Sequence, residues 1–424
     1  MRKIKPSSML LYSLLALFFI GYGIPTFLND GDLPTLLFGS ERLISRSAIT
    51  LAGKYWFTYP PFFAFLMIPL AIIPFPAAKI LWYLITWSCL VSCILMIRHL
   101  IFQTDGFSLT PNAERNWIVL GGCLITVKYI LSVFENQQFD LLVFFFCLSG
   151  LFCIFRNKEI LGSSLLAAGI SIKCTPLLFL PYFAVKRKWK VVYVTTIVAA
   201  ILSFLPDVLF FNGRFSYFID WFSKIVFYHP LLAKLGDPGF TGGSLAPGFG
   251  VNYLNQSLGV LIYRMFSAEA TQCINNIGQL DDGTVTIVKY VIFGVVLLLP
   301  LIILRKKVFN KFSEVEFPIL LETAGIFVLM VLFSPMSSKA HFNTLLYGNT
   351  LLVALYVIKR EKTILWAIIF PIFLLQFTAR GMIGHDNADY FYQLGVTTIS
   401  ALLTYIGLIW SYKKYWDFPK PKEV

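Results

Sequence analysis

Long stretches almost free of charge recur along the chain, at 7–25, 77–101, 116–134, 139–156, 159–173, 175–186, 190–211, 284–304, 316–334, 341–358, 363–380 and 390–412. A helix needs about 20 apolar residues to cross the roughly 30 Å hydrocarbon core of a bilayer. Only helices and closed barrels satisfy their backbone there, and barrels show weak alternation in segments of about 10 residues, not unbroken apolar runs. Charge is correspondingly scarce. Of 424 residues, 13% are charged and 57% hydrophobic, against about 25% and 45–50% in soluble domains. So few charges do not cover a water-soluble surface of this size, which excludes a soluble enzyme, a disordered chain and a secreted disulfide scaffold. The expectation is an all-α integral membrane protein, one polytopic domain over 1–424 with about 12 transmembrane helices. Six of the seven cysteines lie in apolar runs and only Cys273 in a polar stretch. With no Cys-x-x-Cys pair, neither zinc nor a disulfide framework is indicated.

The net charge of +13 reads as topology. Basic clusters fall at Arg156/Lys158, Lys186–Lys190, Arg305–Lys311, Lys359–Lys362 and Lys413–Lys422. With twelve crossings, each lies on the side of the N-terminus, as the positive-inside rule requires of cytoplasmic loops. Contacts with anionic lipid heads fit this pattern; nucleic-acid binding does not follow from it. The run 7–25, after Arg2, Lys3 and Lys5, reads as a retained signal anchor. Both termini are then cytoplasmic. Two large loops, 27–59 and 212–283, face the other side and carry most of the polar mass, so the working surface is extracytoplasmic. The segment 60–74 is apolar but short and bounded by prolines, and it either crosses or lies at the interface. Lys173-Cys174-Thr175-Pro176 interrupts 159–186, and because proline disfavours helix at the residue before it, two short helices are expected to meet there. Irregular backbone at such depth is tolerated only beside protein or a wet cavity, which makes the break a hint of a site.

Asp30 and Asp32 lie in NDGDLP just beyond the first run. They read either as turn chemistry or as a carboxylate at the membrane boundary that accepts a proton from a hydroxyl. Lys173 is either a snorkelling side chain or a cation for an anionic head group. Gln137 and Gln138 open the run FDLLVFFF, and Asn255 and Gln256 precede SLGVLIY; both pairs also suit helix capping. Lys339 and His341 follow Ser334-Pro335 at an outer helix start, where anions are favoured. No metalloprotease, phosphate-loop or serine-hydrolase motif occurs.

Five segments together resemble glycosyltransferase family 87, polyprenyl-phosphate-mannose-dependent mannosyltransferases of the GT-C-type fold. They are YPPFFAFLMIPLAIIPFPAAKILW (59–82), NQQFDLL (136–142), LGSSLLAAGISIKCTPLLFLPYF (161–183), NQSL (255–258) and SPMSSKAHFNTLL (334–346). They stand in the family's order. The second is similar to the family's Gly-Gln-x-Asn-Leu-Leu, with Asp140 in place of Asn. The resemblance implies an outer active site, a lipid-phosphate sugar donor and an acidic base in the first outer loop. That base maps best onto Asp32, with Asp30 as rival; Lys173 maps onto the family's lysine and His341 onto the second of its paired histidines.

The expected function is therefore inverting transfer of a hexose, mannose by the resemblance, from a polyprenyl-phosphate-linked sugar to a glycan or glycolipid hydroxyl. Asp32 (or Asp30) is the expected base. Lys173, His341 and Lys339 would meet the phosphate, and Tyr59, Gln137, Gln138, Asn255 and Gln256 would bind sugar or acceptor hydroxyls. No metal and no cofactor beyond the donor is expected, and the location is the bacterial inner membrane. The alternative is a transporter or flippase for a lipid-linked glycan, which needs a basic cavity and many spans but no general base.

Overall fold

The computed structural model describes residues 26–50, 57–211, 215–226, 254–270, 275–308 and 316–416, with a few isolated positions besides. Most of the run 7–25, the segment 227–253 of the second outer loop and the last basic residues lie outside the described residues. Among the described residues the chain is helical, with only two isolated bridges, Thr50–Phe57 and Ser267–Leu280, as extended pairing.

The helices are α1 (Leu33–Ile44), α2 (Pro61–Leu66), α3 (Ile68–Ala71), α4 (Phe75–Gln103), α5 (Asn112–Glu135), α6 (Asp140–Phe155), α7 (Glu159–Ile172), α8 (Phe179–Val185), α9 (Trp189–Leu209), α10 (Tyr217–Trp221), α11 (Leu258–Phe266), α12 (Asp282–Val308), α13 (Phe317–Leu332), α14 (Leu345–Lys359), α15 (Lys362–Gln376), α16 (Arg380–Ile383), α17 (His385–Gln393) and α18 (Val396–Lys414). Single 3-10 turns, Thr175–Leu178 and Lys339–Thr344, lead into α8 and α14. Each apolar run from 77–101 onward has become a helix. Five described helices are long and apolar enough to cross a bilayer, or six if the bent pair α17–α18 is one span. The rest, α6, α7, α13, α15 and the segment Thr175–Val185, are apolar but shorter. At 1.5 Å per residue they fall short of the bilayer core. The segment 60–74 is not one long helix: it breaks at Met67 into α2 and α3, of 6 and 4 residues, which pack against α1.

Burial separates helices that face lipid from those that build the interior. In α9 and α12 only 17% and 11% of the apolar window is buried, whereas in the span Lys339–Lys359 it is 72%. Every residue of α13 except Glu322 is buried. The helices α6 and α7 cross at two glycines. A Cβ on Gly150 would lie 2.8 Å from the Gly162 carbonyl oxygen, and one on Gly162 2.6 Å from the Gly150 oxygen. Small residues permit such close approach in membrane helices, and it draws the two flanks of the site together.

Glu322 accepts from Lys186 Nζ (2.8 Å), Tyr182 Oη (2.9 Å) and Tyr412 Oη (2.7 Å). This cluster locks α8, α13 and α18 together and satisfies a carboxylate that burial would otherwise penalise. Beside it lies an apolar cavity of about 260 Å³, lined by Leu178 and Pro181 on one side, Gly325 and Leu329 of α13 on another, and Leu297 of α12.

Candidate active site

The chain reverses sharply between α5 and α6. Gln137 takes a positive φ of 48° there, and the turn becomes a dock for the first loop. The Asp32 backbone N–H donates to the Asn136 carbonyl (2.9 Å). The Gln137 amide donates to the carbonyls of Thr26 (3.0 Å) and Asn29. Gly31, at φ +53°, makes this docking possible: a Cβ there would stand 2.5 Å from the Asn136 oxygen, on a backbone that side chains rarely adopt. Gly31→Ala is expected to undock the loop and destabilise the protein by more than about 1 kcal/mol. The check is a parallel fall in thermal midpoint and in transfer rate.

Asp32 occupies the N-cap position of α1, yet its carboxylate makes no cap hydrogen bond. It instead accepts from Gln138 Nε2 at 2.8 Å. Turn chemistry therefore does not use up this group. Gln138 Oε1 in turn accepts from the Ser338 hydroxyl at 3.3 Å, and that hydroxyl lies 2.8 Å from His341 Nδ1. The Ser338 backbone N–H also donates to Nδ1 (3.1 Å). A backbone N–H only donates, so Nδ1 is an acceptor and the ring proton sits on Nε2. Nε2 faces Asp140 Oδ1 at 3.7 Å, and the same oxygen accepts from Lys173 Nζ at 2.9 Å. Asp32, Gln138, Ser338, His341, Asp140 and Lys173 are thus successive polar neighbours, with the one Ser338 proton serving either Gln138 or His341 and a 3.7 Å gap between His341 and Asp140.

Four elements supply them. Lys173 ends α7 in an extended conformation (φ −153°), because Pro176 forces a new start. Its ammonium lies 5.6 Å from the Phe139 ring centroid. Asp140 opens α6 with its side chain 5% exposed, and those of Lys173 and His341 are 14% and 15% exposed. A small cleft opens between them, lined also by Thr175, Ser334, Ser337 and Thr344. Tyr59 packs edge-on to Phe139 at 4.6 Å and lies near enough to both Asp32 and Asp140 that, after burial, their charges are what push its phenol up. Trp221 Nε1 pins this stretch by donating to the Thr58 carbonyl (3.0 Å).

The remaining expected site residues are placed differently. Asp30 pairs with Lys79 at 2.8 Å with its side chain 63% exposed. Gln137 is buried under the first loop. Asn255 takes the backbone N–H groups of Ser257 and Ser337 on its Oδ1 and donates to the Pro335 carbonyl. Gln256 bonds the Ser337 and Tyr392 carbonyls, through its backbone and side chain respectively. These two residues hold the hinge that carries Ser338 and His341. The Lys339 ammonium lies over the Tyr392 ring at 5.3 Å. Asp140 and Ser338, which join the expected base to the expected cation, were not picked out from the sequence. The signals for Asp140 were a carboxylate opening a strongly apolar helix and its place in the motif where the family has Asn. Among the described residues, no three His, Cys, Asp or Glu side chains gather as a metal site would require.

The profile of glycosyltransferase family 87 matches residues 57–335, two thirds of the chain. The chain belongs to glycosyltransferase family 87. Gln138, Asp140 and Lys173 fall within the matched region, and Asp32, Ser338 and His341 lie outside it. No curated protein and no solved structure matches the chain. Membership makes this membrane protein a glycosyltransferase and sets aside the transporter alternative.

Burial pushes the Asp32 carboxyl up; the Gln138 hydrogen bond lowers it, and the charge of Asp140 raises it further. A general base acts only when ionised, so if Asp32 is the expected base the acidic limb of kcat/KM should lie above the ordinary carboxylate range. Gln138→Met removes the one lowering contact and is expected to move that limb to still higher pH, as read from a pH–rate profile of the purified variant.

Proposed function

We propose that the protein transfers a hexose, mannose by its family, from a polyprenyl-phosphate-linked sugar to a glycan or glycolipid hydroxyl at the extracytoplasmic face of the bacterial inner membrane. On this reading it has about 12 spans in a GT-C-type fold, with both termini cytoplasmic. The observation that carries the reading is the gathering of polar side chains from Asp32 to Lys173. Lys173 and His341 line the cleft, and Asp32, whose carboxylate caps no helix, reaches their neighbourhood through Gln138.

In this mechanism Asp32 orients the acceptor hydroxyl and takes its proton as the oxygen attacks the anomeric carbon. The bond to the phosphate oxygen breaks on the opposite side, inverting the centre. Negative charge grows on the departing phosphate, where Lys173 and the Nε2–H of His341 stabilise it. Donors fixed in place where charge develops are worth more than in water. Asp140 balances the charge of Lys173 before the donor arrives and holds both donors at the cleft.

The apolar cavity supports a lipid-linked donor. Along α13 it is lined from Leu321 to Leu329, and the cleft from Met330 onward; along the facing segment Leu178 to Val185 line the cavity, and Lys173 and Thr175 the cleft. A polar and an apolar compartment thus follow one another on the same two elements, as the head and first isoprenoid units of an amphiphile require. The test is reconstituted protein given radiolabelled mannosyl polyprenyl phosphate and membrane glycolipid acceptors. Transfer with inverted anomeric configuration, read by NMR of the product, is expected; transfer from a nucleotide sugar instead would reject the reading.

A further inference from the structure

Asp140 Oδ1 accepts from Lys173 (2.9 Å) and has His341 Nε2 at 3.7 Å, but Oδ2 is buried and has no hydrogen-bond partner among the described residues. The side chain lines the cleft and is 5% exposed. A buried carboxylate oxygen left unsatisfied is costly, and ionised it only accepts hydrogen bonds. Three of the cleft's four hydroxyls are committed elsewhere, and the fourth, Thr175, makes no bond to Oδ2. Ser334 donates to the Met336 carbonyl (2.8 Å), Ser337 to the Val331 carbonyl (2.7 Å) and Thr344 to the Phe327 carbonyl (3.3 Å). His341 Nδ1 is held as an acceptor by Ser338.

The geometry points to Asp140 Oδ2 as the atom that recognises one hydroxyl of the transferred sugar, accepting its hydrogen as the ring widens a cleft that holds about 10 Å³ without it. This rests on the glycosyl-transfer reading and names a specificity element within it. A site built to bond a hydroxyl discriminates strongly against an analogue that lacks it, because the buried partner is then left unpaired. The sugar hydroxyl must be the donor, so replacing it by fluorine should cost about as much as removing it.

The experiment uses the full-length protein in detergent and short-chain prenyl phosphates of mannose, glucose and galactose. The parent that the wild type transfers is compared with its monodeoxy and deoxyfluoro analogues at each ring position. In the wild type, one position should lose about 10- to 150-fold in kcat/KM with either analogue, the value of a hydrogen bond to a charged group. In Asp140→Ala the parent should fall to the level of those analogues, so that the ratio at that position approaches one. His341→Gln, which also disturbs the ion cluster, should slow every donor and keep the ratio. A ratio unchanged in Asp140→Ala, or a wild type indifferent to every hydroxyl, overturns the inference while leaving the transfer reaction standing. If none of the three parents is transferred, the reading beneath it fails, and the inference fails with it.

Discussion

Asp32→Asn should transfer sugar at least about 100-fold more slowly than the wild type, since a positioned general base contributes roughly 10²–10⁴-fold. The protein should nonetheless fold. The Asp32 carboxylate caps nothing in α1, and the backbone bond that docks its loop, from the Asp32 N–H to the Asn136 carbonyl, survives the substitution. Asparagine keeps the shape and still meets Gln138, so unchanged thermal unfolding with lost turnover separates catalysis from structure. Asp30→Asn is the paired control. Its carboxylate is mostly exposed and bound to Lys79, so only a small loss is expected. The opposite ranking would move the base to Asp30.

Lys173→Met should have the second large effect, for a different reason. It strips the nearest counter-charge from Asp140, whose side chain is 5% exposed, and removing one partner of a buried ion pair costs about 3–5 kcal/mol. Lys173→Met with Asp140→Asn removes both charges and should recover most of that stability. Activity should not return, because the ammonium proposed to meet the phosphate is still missing. A thermal-unfolding double-mutant cycle measures the first effect, and donor KM with kcat the second. If the single and double variants were equally stable, the pair would not be the clamp that its geometry describes.

The architecture was legible where hydrophobicity alone decides it. Each apolar run from 77–101 onward became a helix, and the break at Lys173 followed from Pro176. What the pattern did not disclose was which helices span alone, because length in sequence does not reveal breaks such as the one at Met67. The grouping of Asp32, Lys173 and His341 came from resemblance to a family, not from spacing, since they lie on elements up to 309 residues apart. Asp140 stood out in sequence only as a departure from the family's Asn, because a carboxylate in the first turn of a helix is ordinary dipole chemistry; only the fold puts Lys173 and His341 beside one of its oxygens. Gln137, Asn255 and Gln256 had the right chemistry for sugar, but a polar side chain spent on backbone carbonyls is indistinguishable in sequence from one held open for a ligand.

The arrangement itself is most directly tested by a structure of the full-length protein with a non-transferable polyprenyl-phosphate sugar bound. The account predicts the phosphate against Lys173 Nζ and His341 Nε2, the lipid chain entering the cavity along α13, and the anomeric carbon between the phosphate and Asp32. A phosphate seated elsewhere, or a sugar whose anomeric carbon turns away from Asp32, would contradict it.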